Sequence, residues 1–470
     1  MLNRRDFLKT TGASLAASTL PLRALGAATK ADYTLKIAPT ALEISPGVTV
    51  KTIAYNGQVP GPILRLKEGV PVTIDVTNAG TNPDIVHWHG LAIDSRNDGA
   101  MEEGSPMIAP GSQLRYTFTP RSAGTRWYHT HAGAGDDAHY DLGMGTYSGQ
   151  FGFLMVEGKT GFAAAGAWGQ EVFLAIHHWE PHFVPMADTM RATSANAPMT
   201  SGSDVGYQYA TINAHRLGAG EPLRVKQGQR VLMHLLNASA TENVELALPG
   251  HTFKVLAMDG NPVPRPQSVE RLSLAVAERV DAIVEMNTPG VWVLGSTLAG
   301  ARAMGLGVAV EYAGSKGEPV WRDPAPAVWD YTQFALPDAT AAPDETVTLT
   351  FRDVGPQKGS KFDTWTINNK SWPDIDPIQV HAGKRYRLVF RNGSGDQHPI
   401  HLHRHTFEVA EIRTPAGKRV LSGLRKDVIN VMPLGTVAAD FVADNPGDTL
   451  WHCHQQLHMD YGFMQLIKYV

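Results

Sequence analysis

The stretch YNGQVPGPILRLKEGVPVTIDVTN (residues 55–78) decides the fold, because the chain repeats its pattern twice more. The second copy is INAHRLGAGEPLRVKQGQRVLMHLLN (residues 212–237), and the third is INNKSWPDIDPIQVHAGKRYRLVFRN (residues 367–392). Each copy predicts a strand, a turn at a glycine, and a second strand that an asparagine closes. Self-similarity at a regular spacing therefore predicts three copies of one β unit.

Around these repeats, short runs of β-branched and aromatic residues alternate with Gly, Pro, Asn and Asp, which is typical of β-sandwiches or barrels. A length of 470 residues suits about three domains. We therefore predict an all-β protein with domains at 31–160, 161–315 and 346–470. The segment 316–345, rich in Ala, Pro and Asp, is predicted to be a linker over the surface.

The composition is that of a globular protein, with 43% hydrophobic and 18% charged residues. No apolar run approaches the roughly 18 residues of a membrane-spanning helix. The formal net charge of −4 gives no electrostatic reason to expect nucleic acid as a partner. A single cysteine excludes an intramolecular disulfide, and 19 histidines favour metal binding instead.

Residues 1–30 are predicted to be an export signal rather than part of the fold. The basic start RRDFLK (residues 4–9) precedes a weakly apolar run to Leu22 and small residues near Ala28. It resembles the twin-arginine signal, which implies the twin-arginine export machinery and a periplasmic or secreted protein. The segment carries five Lys/Arg and one Asp, so its removal changes the net charge from −4 to about −8.

In the first and third copies, two later strands carry histidines at alternate positions. The four pairs are His87 and His89, His129 and His131, His401 and His403, and His452 and His454. Side chains two residues apart on a strand point to the same face, so each pair directs two imidazoles to one place. The middle copy has Ala247, Pro249 and Leu294 in the corresponding places. This selective absence predicts a metal site between the other two copies.

Other histidines have simpler interpretations. His251 and His405 occupy matching places in the second and third copies, within HTFKV and HTFEV, and are interpreted as framework residues. Four more have no partner in sequence and are interpreted as ordinary side chains: His139, His215, His234 and His381.

The only cysteine, Cys453, lies between His452 and His454 and on the opposite strand face. One thiolate with two imidazoles, from His398 and His458, matches a trigonal blue-copper site. Zinc remains possible for that set, but it would not explain the paired histidines on the neighbouring face. The covalent link from Cys453 to its two neighbours would join a one-electron site to a second, multi-metal site.

These residues resemble the multicopper oxidase family, specifically its laccase-like bacterial type with three cupredoxin domains. The resemblance covers nearly the whole mature chain and implies three consecutive cupredoxin-like Greek-key β-sandwich domains with four copper ions per chain. Its signatures are His87-Trp88-His89-Gly90, Trp127-Tyr128-His129-Thr130-His131, His398-Pro399-Ile400-His401-Leu402-His403, and His452-Cys453-His454 with His458.

The resemblance also implies which residues bind each ion. The type 1 ligands are His398, Cys453 and His458. The type 2 ligands are His87 and His401. The type 3 ligands are His89, His129 and His454 on one ion, and His131, His403 and His452 on the other. Many bacterial members have a methionine ten residues after the cysteine, whereas this chain has Phe463 with Met464 next. If that register holds, Phe463 is an axial non-ligand; the alternative is plain core packing.

Two acidic residues are candidates for catalysis. Asp98 resembles the acid that hydrogen-bonds water at the type 2 copper, although it could belong to a plain Asp–Gly turn. Asp460 is a weaker candidate for a place behind the ligands, with a solvated loop carboxylate as its alternative.

The resemblance implies reduction of dioxygen to water, fed by four one-electron oxidations of a small reducing substrate. We favour a phenol or aryl amine, as for a laccase, and expect a monomer. The alternative is a metallo-oxidase that converts Cu(I) or another low-valent metal ion in copper tolerance. Its support is a group of thioethers near His177, His178 and His182, namely Met186, Met190 and Met199. A copper-free envelope scaffold is the most distant alternative, because the ligand set is complete.

Overall fold

The structure is a computed structural model that describes residues 30–136, 138–158, 166–185, 203–357, 359–415 and 417–470. The part of the predicted export signal before residue 30 lies outside the described residues, as do Met186, Met190 and Met199. The regular secondary structure of the described chain is nearly all β, and it forms three cupredoxin-like β-sandwich domains.

The first domain packs two four-stranded sheets, in the orders β2-β1-β4-β6 and β3-β8-β7-β5, around an apolar core. Its strands are β1 (Tyr33–Ser45), β2 (Val48–Tyr55), β3 (Gly61–Lys67), β4 (Val72–Asn78), β5 (Val86–His87), β6 (Gln113–Phe118), β7 (Gly124–Thr130) and β8 (Phe151–Glu157).

The second domain has sheets in the orders β10-β9-β12-β17-β14-β15 and β11-β19-β18-β13-β16. Its strands are β9 (Gln170–Pro185), β10 (Ser203–Ile212), β11 (Leu223–Val225), β12 (Gln229–Asn237), β13 (Val244–Ala247), β14 (Phe253–Met258), β15 (Asn261–Val269), β16 (Arg271–Leu274), β17 (Arg279–Met286), β18 (Val291–Ser296) and β19 (Gly307–Tyr312).

The third domain has sheets in the orders β21-β20-β23-β29-β25-β26, with β27 paired to β25, and β22-β31-β30-β24-β28. Its strands are β20 (Glu345–Pro356), β21 (Asp363–Ile367), β22 (Ile378–Val380), β23 (Arg385–Asn392), β24 (His398–Leu402), β25 (Phe407–Thr414), β26 (Gly417–Val420), β27 (Arg425–Lys426), β28 (Val428–Val431), β29 (Thr436–Val442), β30 (Thr449–Cys453) and β31 (Met464–Tyr469).

Helices are short and lie in connections. The α-helices are α1 (Ser95–Asp98), α2 (Ala299–Met304) and α3 (Gln456–Asp460), and the 3-10 turns are Met101–Glu103, Gly145–Tyr147 and Tyr331–Phe334. In the part of the chain that the structure describes, no helix combines the length and the apolarity needed to cross a membrane.

The threefold repeat is confirmed, and its closing asparagines have a physical role. The strands that they close, β4, β12 and β23, each run parallel to the first strand of their domain. Each asparagine amide donates to one carbonyl four or five residues later and to a second carbonyl much further along the chain, and its side-chain oxygen accepts from the backbone two residues later. These asparagines are Asn78, Asn237 and Asn392. Buried carbonyls need such donors, so the same residue recurs in all three domains.

The second and third domains share one sheet order: β11-β19-β18-β13-β16 corresponds strand by strand to β22-β31-β30-β24-β28. Ala247 pairs with Gly295 in the former sheet, as His401 pairs with His452 in the latter. The prediction that Leu294 occupies a histidine place is therefore wrong. The tryptophan follows the glycine by two residues in the middle copy and by four in the third copy. An alignment that matches the tryptophans therefore shifts the predicted strand register of the middle copy.

The predicted linker, residues 316–345, is not confined to the surface. Phe334 is fully buried in the core that the second and third domains share. The Tyr331 hydroxyl donates to the Glu278 carboxylate at 2.7 Å. The prediction of a surface linker is wrong for this central part of the segment, because its buried aromatic ring packs between two domains.

Candidate metal centre

Two strand pairs bring the histidines of the first and third domains together. His87 pairs with His129 across β5 and β7, and His401 pairs with His452 across β24 and β30. In all four predicted pairs, the first histidine lies on the strand and the second lies just beyond its end. The eight rings meet between the domains, where the His89 and His401 rings stack with centroids 3.7 Å apart.

The outward nitrogens of the cluster donate to fixed acceptors. Four Nδ1 atoms lie 2.8 Å from backbone carbonyl oxygens: those of His87 on Asp98, His129 on Thr130, His401 on Asp427 and His452 on Cys453. A carbonyl can only accept, so each Nδ1 carries the hydrogen and each Nε2 keeps its lone pair. This is the tautomer of an imidazole that is ready to bind a metal ion.

The inward nitrogens face one another at short range. His87 Nε2 lies 3.4 Å from His401 Nε2, and His403 Nε2 lies 3.1 Å from His452 Nε2. Two lone pairs cannot form a hydrogen bond with each other. Two imidazoles that share one tetrahedral ion at about 2.0–2.1 Å would place their nitrogens roughly 3.3 Å apart. The residues present therefore fit a shared cation.

Burial keeps these imidazoles neutral. Desolvation lowers the pKa well below its usual value for His89, His129, His131, His398, His401, His403, His452 and His454. Among the described residues, neither nitrogen of His454 has a hydrogen-bond partner, and neither does His131 Nδ1. These two side chains line a small cavity with His129 and His452. Unpartnered buried nitrogens around a cavity again fit metal ligands.

Cys453 forms a separate cluster with His398 and His458. Its Sγ lies 3.7 Å from His398 Nδ1 and 3.5 Å from His458 Nδ1, and all three residues are buried. The outward Nε2 of His398 contacts the Ser394 hydroxyl at 2.7 Å. Burial raises the pKa of the Cys453 thiol, so a thiolate there requires a neighbouring positive charge. This donor set fits a soft or borderline metal ion such as copper.

Phe463, rather than Met464, faces the cysteine cluster. The Phe463 ring is fully buried, shares a core cluster with Cys453 and lies 4.9 Å from the His398 ring. Met464 packs in a different cluster, with Ala100 and other apolar side chains. The structure therefore places the Phe463 ring, and not the adjacent thioether, beside His398.

Asp98 lies directly behind two histidines of the cluster. Its Oδ2 is 2.8 Å from His403 Nδ1 and 3.2 Å from His87 Nδ1, and Oδ1 has no partner among the described residues. It ends helix α1, and the next residue, Gly99, has φ +88°. A Cβ on Gly99 would lie 1.8 Å from the Val86 carbonyl oxygen, so only glycine lets α1 close against β5. Asp98 is thus more than part of an Asp–Gly turn.

Asp460 is part of a hydrogen-bond network rather than a solvated loop. Its carboxylate accepts from the Gln456 amide at 3.0 and 3.1 Å, the Tyr140 hydroxyl at 2.9 Å and the Ala134 backbone at 3.1 Å. Burial raises the pKa of Asp460 to about 6. Gln456 also lines the cavity beside His452, so it joins Asp460 to the cluster.

Sequence reasoning missed two acidic residues at the cluster. Glu103 Oε1 lies 3.5 Å from His403 Nδ1 and accepts from the Leu450 backbone at 2.6 Å. Asp427 Oδ1 lies 3.2 Å from His89 Nε2. Glu103 follows another glutamate and Asp427 follows two basic residues, and no spacing in the sequence signals their position at the cluster.

Four further histidines take buried structural positions. His251 and His405 each contact the carbonyl two residues earlier and a tyrosine hydroxyl on the last strand of the domain, Tyr312 or Tyr469. Their interpretation as framework residues is confirmed. His177 contacts the Ala238 carbonyl at 2.8 Å, and His178 contacts the Ser239 hydroxyl at 2.7 Å.

Comparisons with known proteins agree with this geometry. Three family models described as multicopper oxidase match residues 36–161, 182–310 and 342–469. Multicopper oxidase MmcO of Mycobacterium tuberculosis (strain ATCC 25618 / H37Rv) is 30% identical over 455 residues, covering 93% of this chain and 86% of that protein. Laccase-2 of Botryotinia fuckeliana is 25% identical over 486 residues, covering 90% of this chain and 79% of that protein.

The solved structure of a multicopper oxidase from Campylobacter jejuni, titled a metallo-oxidase, shares the fold. Its TM-score is 0.70 at 21% identity, over 93% of this chain and 91% of that chain. A twin-arginine signal model matches residues 1–21, so the protein is exported to the periplasm or secreted. With copper-binding relatives matched along nearly its whole length, the chain belongs to the multicopper oxidase family and is a copper-dependent oxidoreductase that uses dioxygen.

Proposed function

We propose that the protein binds four copper ions and couples four one-electron oxidations of a phenol or aryl amine to the reduction of dioxygen to water. The observation that carries this proposal is the set of neutral imidazole nitrogens facing one another at 3.1–3.4 Å between the first and third domains. Such an arrangement is unfavourable without cations, and the chain builds it from both domains at once.

The proposed ligand sets follow the clusters. His398, Cys453 and His458 would hold the type 1 ion, and the Phe463 ring beside His398 supplies no ligand atom. His87 and His401 hold the type 2 ion. Two triads hold the type 3 pair: His89, His129 and His454, and His131, His403 and His452. The second triad is supported by its ligand atoms, which all lie within 4.8 Å of one another.

The chain itself connects the two centres. Bound copper supplies the one-electron redox steps and the site of dioxygen reduction. Cys453 is covalently joined to His452 and His454, and its carbonyl accepts from His452 Nδ1 at 2.8 Å. One residue therefore links the site of substrate oxidation to both triads.

Two carboxylates are proposed to serve proton transfer. Asp98 orients His87 and His403 and keeps one oxygen without a protein partner. Asp460 has a pKa of about 6, so it can both hold and release a proton near neutral pH. The Gln456 amide donates to Asp460 and also lines the cavity, so it connects the Asp460 carboxylate to the cavity.

Metal analysis and oxygen uptake test the proposal together. We expect about four copper atoms per chain, the blue colour of a cysteine-ligated copper, and oxygen consumption with phenols. A His452→Ala variant should keep the blue colour but lose oxygen uptake. Copper-free, colourless protein from copper-supplemented cells would contradict the proposal and favour the scaffold alternative.

A second candidate, oxidation of low-valent metal ions, is favoured by carboxylates near the cysteine cluster. Asp363 is only 3% exposed, and among the described residues neither of its oxygens has a hydrogen-bond partner. It starts the strand that carries Trp365, whose ring lies 4.1 Å from the His458 ring. Burial, together with repulsion from Asp204, Asp353 and Asp363, raises the pKa of Asp396 to about 7. A cation would relieve this repulsion, and carboxylates suit Fe(II) or Mn(II) better than Cu(I).

An Asp363→Asn variant distinguishes the two candidates. Loss of about 10–100-fold in kcat/KM for Fe(II), with phenol oxidation within about twofold of wild type, would favour the metal ion as substrate. Unchanged Fe(II) kinetics, or no Fe(II) oxidation in the wild type, would favour the phenol. Asp448→Asn, which changes a partly exposed carboxylate, is the matched control.

A further inference from the structure

Six charged side chains are buried where the three domains meet. Three are cationic and three anionic, and each is at most 2% exposed. They are Arg126 from the first domain, Asp259, Glu278 and Arg279 from the second, and Lys426 and Asp427 from the third. Buried charges of this kind are tolerated only when they are fully paired.

Asp427 is held by two arginines from the other domains. Arg279 Nη1 and Nη2 donate to its two oxygens, both at 2.6 Å, in a bidentate pair. Arg126 Nη1 adds a third contact at 3.1 Å. Because a bidentate arginine fixes the plane of a carboxylate, the orientation of Asp427 is set from outside its own domain.

Asp427 contacts one histidine from each ligand-bearing domain. Its Oδ1 lies 3.2 Å from His89 Nε2, and its backbone carbonyl accepts from His401 Nδ1 at 2.8 Å. Its side-chain oxygens are already bound by arginines. Asp427 is therefore placed to orient histidines rather than to bind an ion.

His89 is turned the opposite way from its neighbours. Its Nδ1 faces the cluster, 3.4 Å from His129 Nε2, whereas its Nε2 points outward. The other rings with an assigned outward nitrogen present Nδ1 outward: His87, His129, His401, His403 and His452. An outward acceptor at the Nε2 side of His89 is what leaves Nδ1 free of hydrogen.

We infer that Arg279, from the domain without ligands, is a positioning residue for the histidine cluster. It holds Asp427 in the orientation that accepts from His89 Nε2 and so directs His89 Nδ1 towards His129. The inference rests on the proposed function, because it assigns a role in a copper cluster.

Gly90, the last residue of the first histidine signature, supports this arrangement. A Cβ at this position, where φ is +85°, would lie 2.6 Å from Asp427 Oδ2 and 2.9 Å from Arg279 Nη2. The glycine next to His89 thus leaves room for the ion pair. The ion pair of Arg279 and Asp427 can lie next to the first histidine signature only because residue 90 has no side chain.

The test compares copper-loaded wild type with Arg279→Lys, which keeps the charge but loses the bidentate geometry. In Arg279→Lys we expect a new electron paramagnetic resonance signal, from copper ions that give no signal in the wild type. We also expect the rate of oxygen reduction to fall by about 10–100-fold. The blue absorbance of the Cys453 site should stay unchanged. Arg387→Lys is the matched control, because Arg387 also binds an aspartate, Asp440, through two nitrogens at 2.7 and 2.9 Å.

Gly90→Ala provides a second route if Arg279→Lys does not fold, since the added methyl group displaces the same ion pair. Wild-type resonance spectra in a folded Arg279→Lys variant would overturn the inference. So would equal losses of all copper signals in Arg279→Lys and Arg387→Lys, which would indicate a general effect on folding. Wild-type protein without copper signals would instead overturn the proposed function, and this inference with it.

Discussion

The second and third domains have the same scaffold but opposite content at the ends of their central strands. Their sheets share one strand order. In each domain a histidine contacts a tyrosine hydroxyl on the last strand, His251 with Tyr312 or His405 with Tyr469. The positions of four histidines that are proposed as ligands in the third domain are occupied in the second by Ala247, Pro249, Gly295 and Thr297. The fold therefore does not depend on these histidines, because the same strands pair in the same way in the domain that lacks them.

The second domain has filled the space that a ligand would need. A Cβ on Gly295 would lie 2.8 Å from the Leu306 carbonyl and 3.1 Å from a Val293 methyl group. Its contact with the residues around the centre lies at the domain boundary, where Arg279 binds Asp427. One copy of the repeat thus contacts the histidine cluster through a residue at the domain boundary and contributes none of the clustered histidines.

We expect the largest loss of oxygen reduction when one histidine of the third domain is replaced by the alanine found at the matching position of the second domain. His401→Ala removes a ring that faces His87 at 3.4 Å. We expect oxygen reduction to fall by more than about 100-fold, beyond the range of changes behind the ligands, because a ligand itself is lost. Copper content and oxygen uptake measure the effect.

The reverse change, Ala247→His, is the matched control. Ala247 is fully buried, so an imidazole there would lack an acceptor and destabilise the protein by about 1–3 kcal/mol. Copper content should remain that of the wild type. Extra copper in Ala247→His, or normal oxygen uptake in His401→Ala, would contradict the view that ligands are additions to a common scaffold.

The buried imidazoles should make the metal-free protein sensitive to acid. Their folded pKa values lie below the unfolded value of about 6.5, so the unfolded chain binds more protons below that pH. Stability is present above about pH 6.5 and is lost as the pH falls, by up to about 1.4 kcal/mol per pH unit for each imidazole. Urea unfolding at about pH 7.5 and about pH 5.5 measures the slope.

Removing one ring should reduce this slope. Metal-free His401→Ala should lose about 1.4 kcal/mol per pH unit of the dependence, because one titrating group is gone. An unchanged slope would show that His401 is not neutral in the folded protein, contrary to the effect of its burial.

Much of this comparison was predictable from sequence, because it depends on local spacing. The repeat, the four histidine pairs and the set of His398, Cys453 and His458 lie in short motifs whose strand geometry is simple. The strand register of the second domain was not predictable, since a tryptophan is a poor marker of hydrogen-bond pairing. Asp427 and Arg279 were missed for another reason: they come from different domains, and only tertiary packing makes them partners.

The shared framework should respond alike in both domains. Asn237→Ala and Asn392→Ala each remove an amide that donates to one buried and one partly buried carbonyl. Each should lower the free energy of unfolding by about 1–3 kcal/mol, because the carbonyls lose their donor. Thermal unfolding of the metal-free variants measures both losses. A much larger loss in one domain would show that the scaffold is not equivalent.

The smallest change concerns the residue beside the cysteine cluster. Phe463→Met brings a thioether to the place where the ring now lies 4.9 Å from the His398 ring. We expect a lower reduction potential at this site, because an axial thioether is one of the features that set the potential of such centres. Stability should change by less than about 1.5 kcal/mol, since the two side chains are similar in volume. Redox titration of the blue absorbance measures the shift.

The second domain offers a matched control at the equivalent position. Gly295 pairs with Gly307 as His452 pairs with Met464, so Leu306 corresponds to Phe463. Leu306→Met should cause a similarly small change in stability and no change in potential, because this domain has no thiolate. If both variants leave the potential unchanged, Phe463 does not occupy the axial place and its ring only fills the core. If both lower it, the effect comes from packing rather than from a ligand.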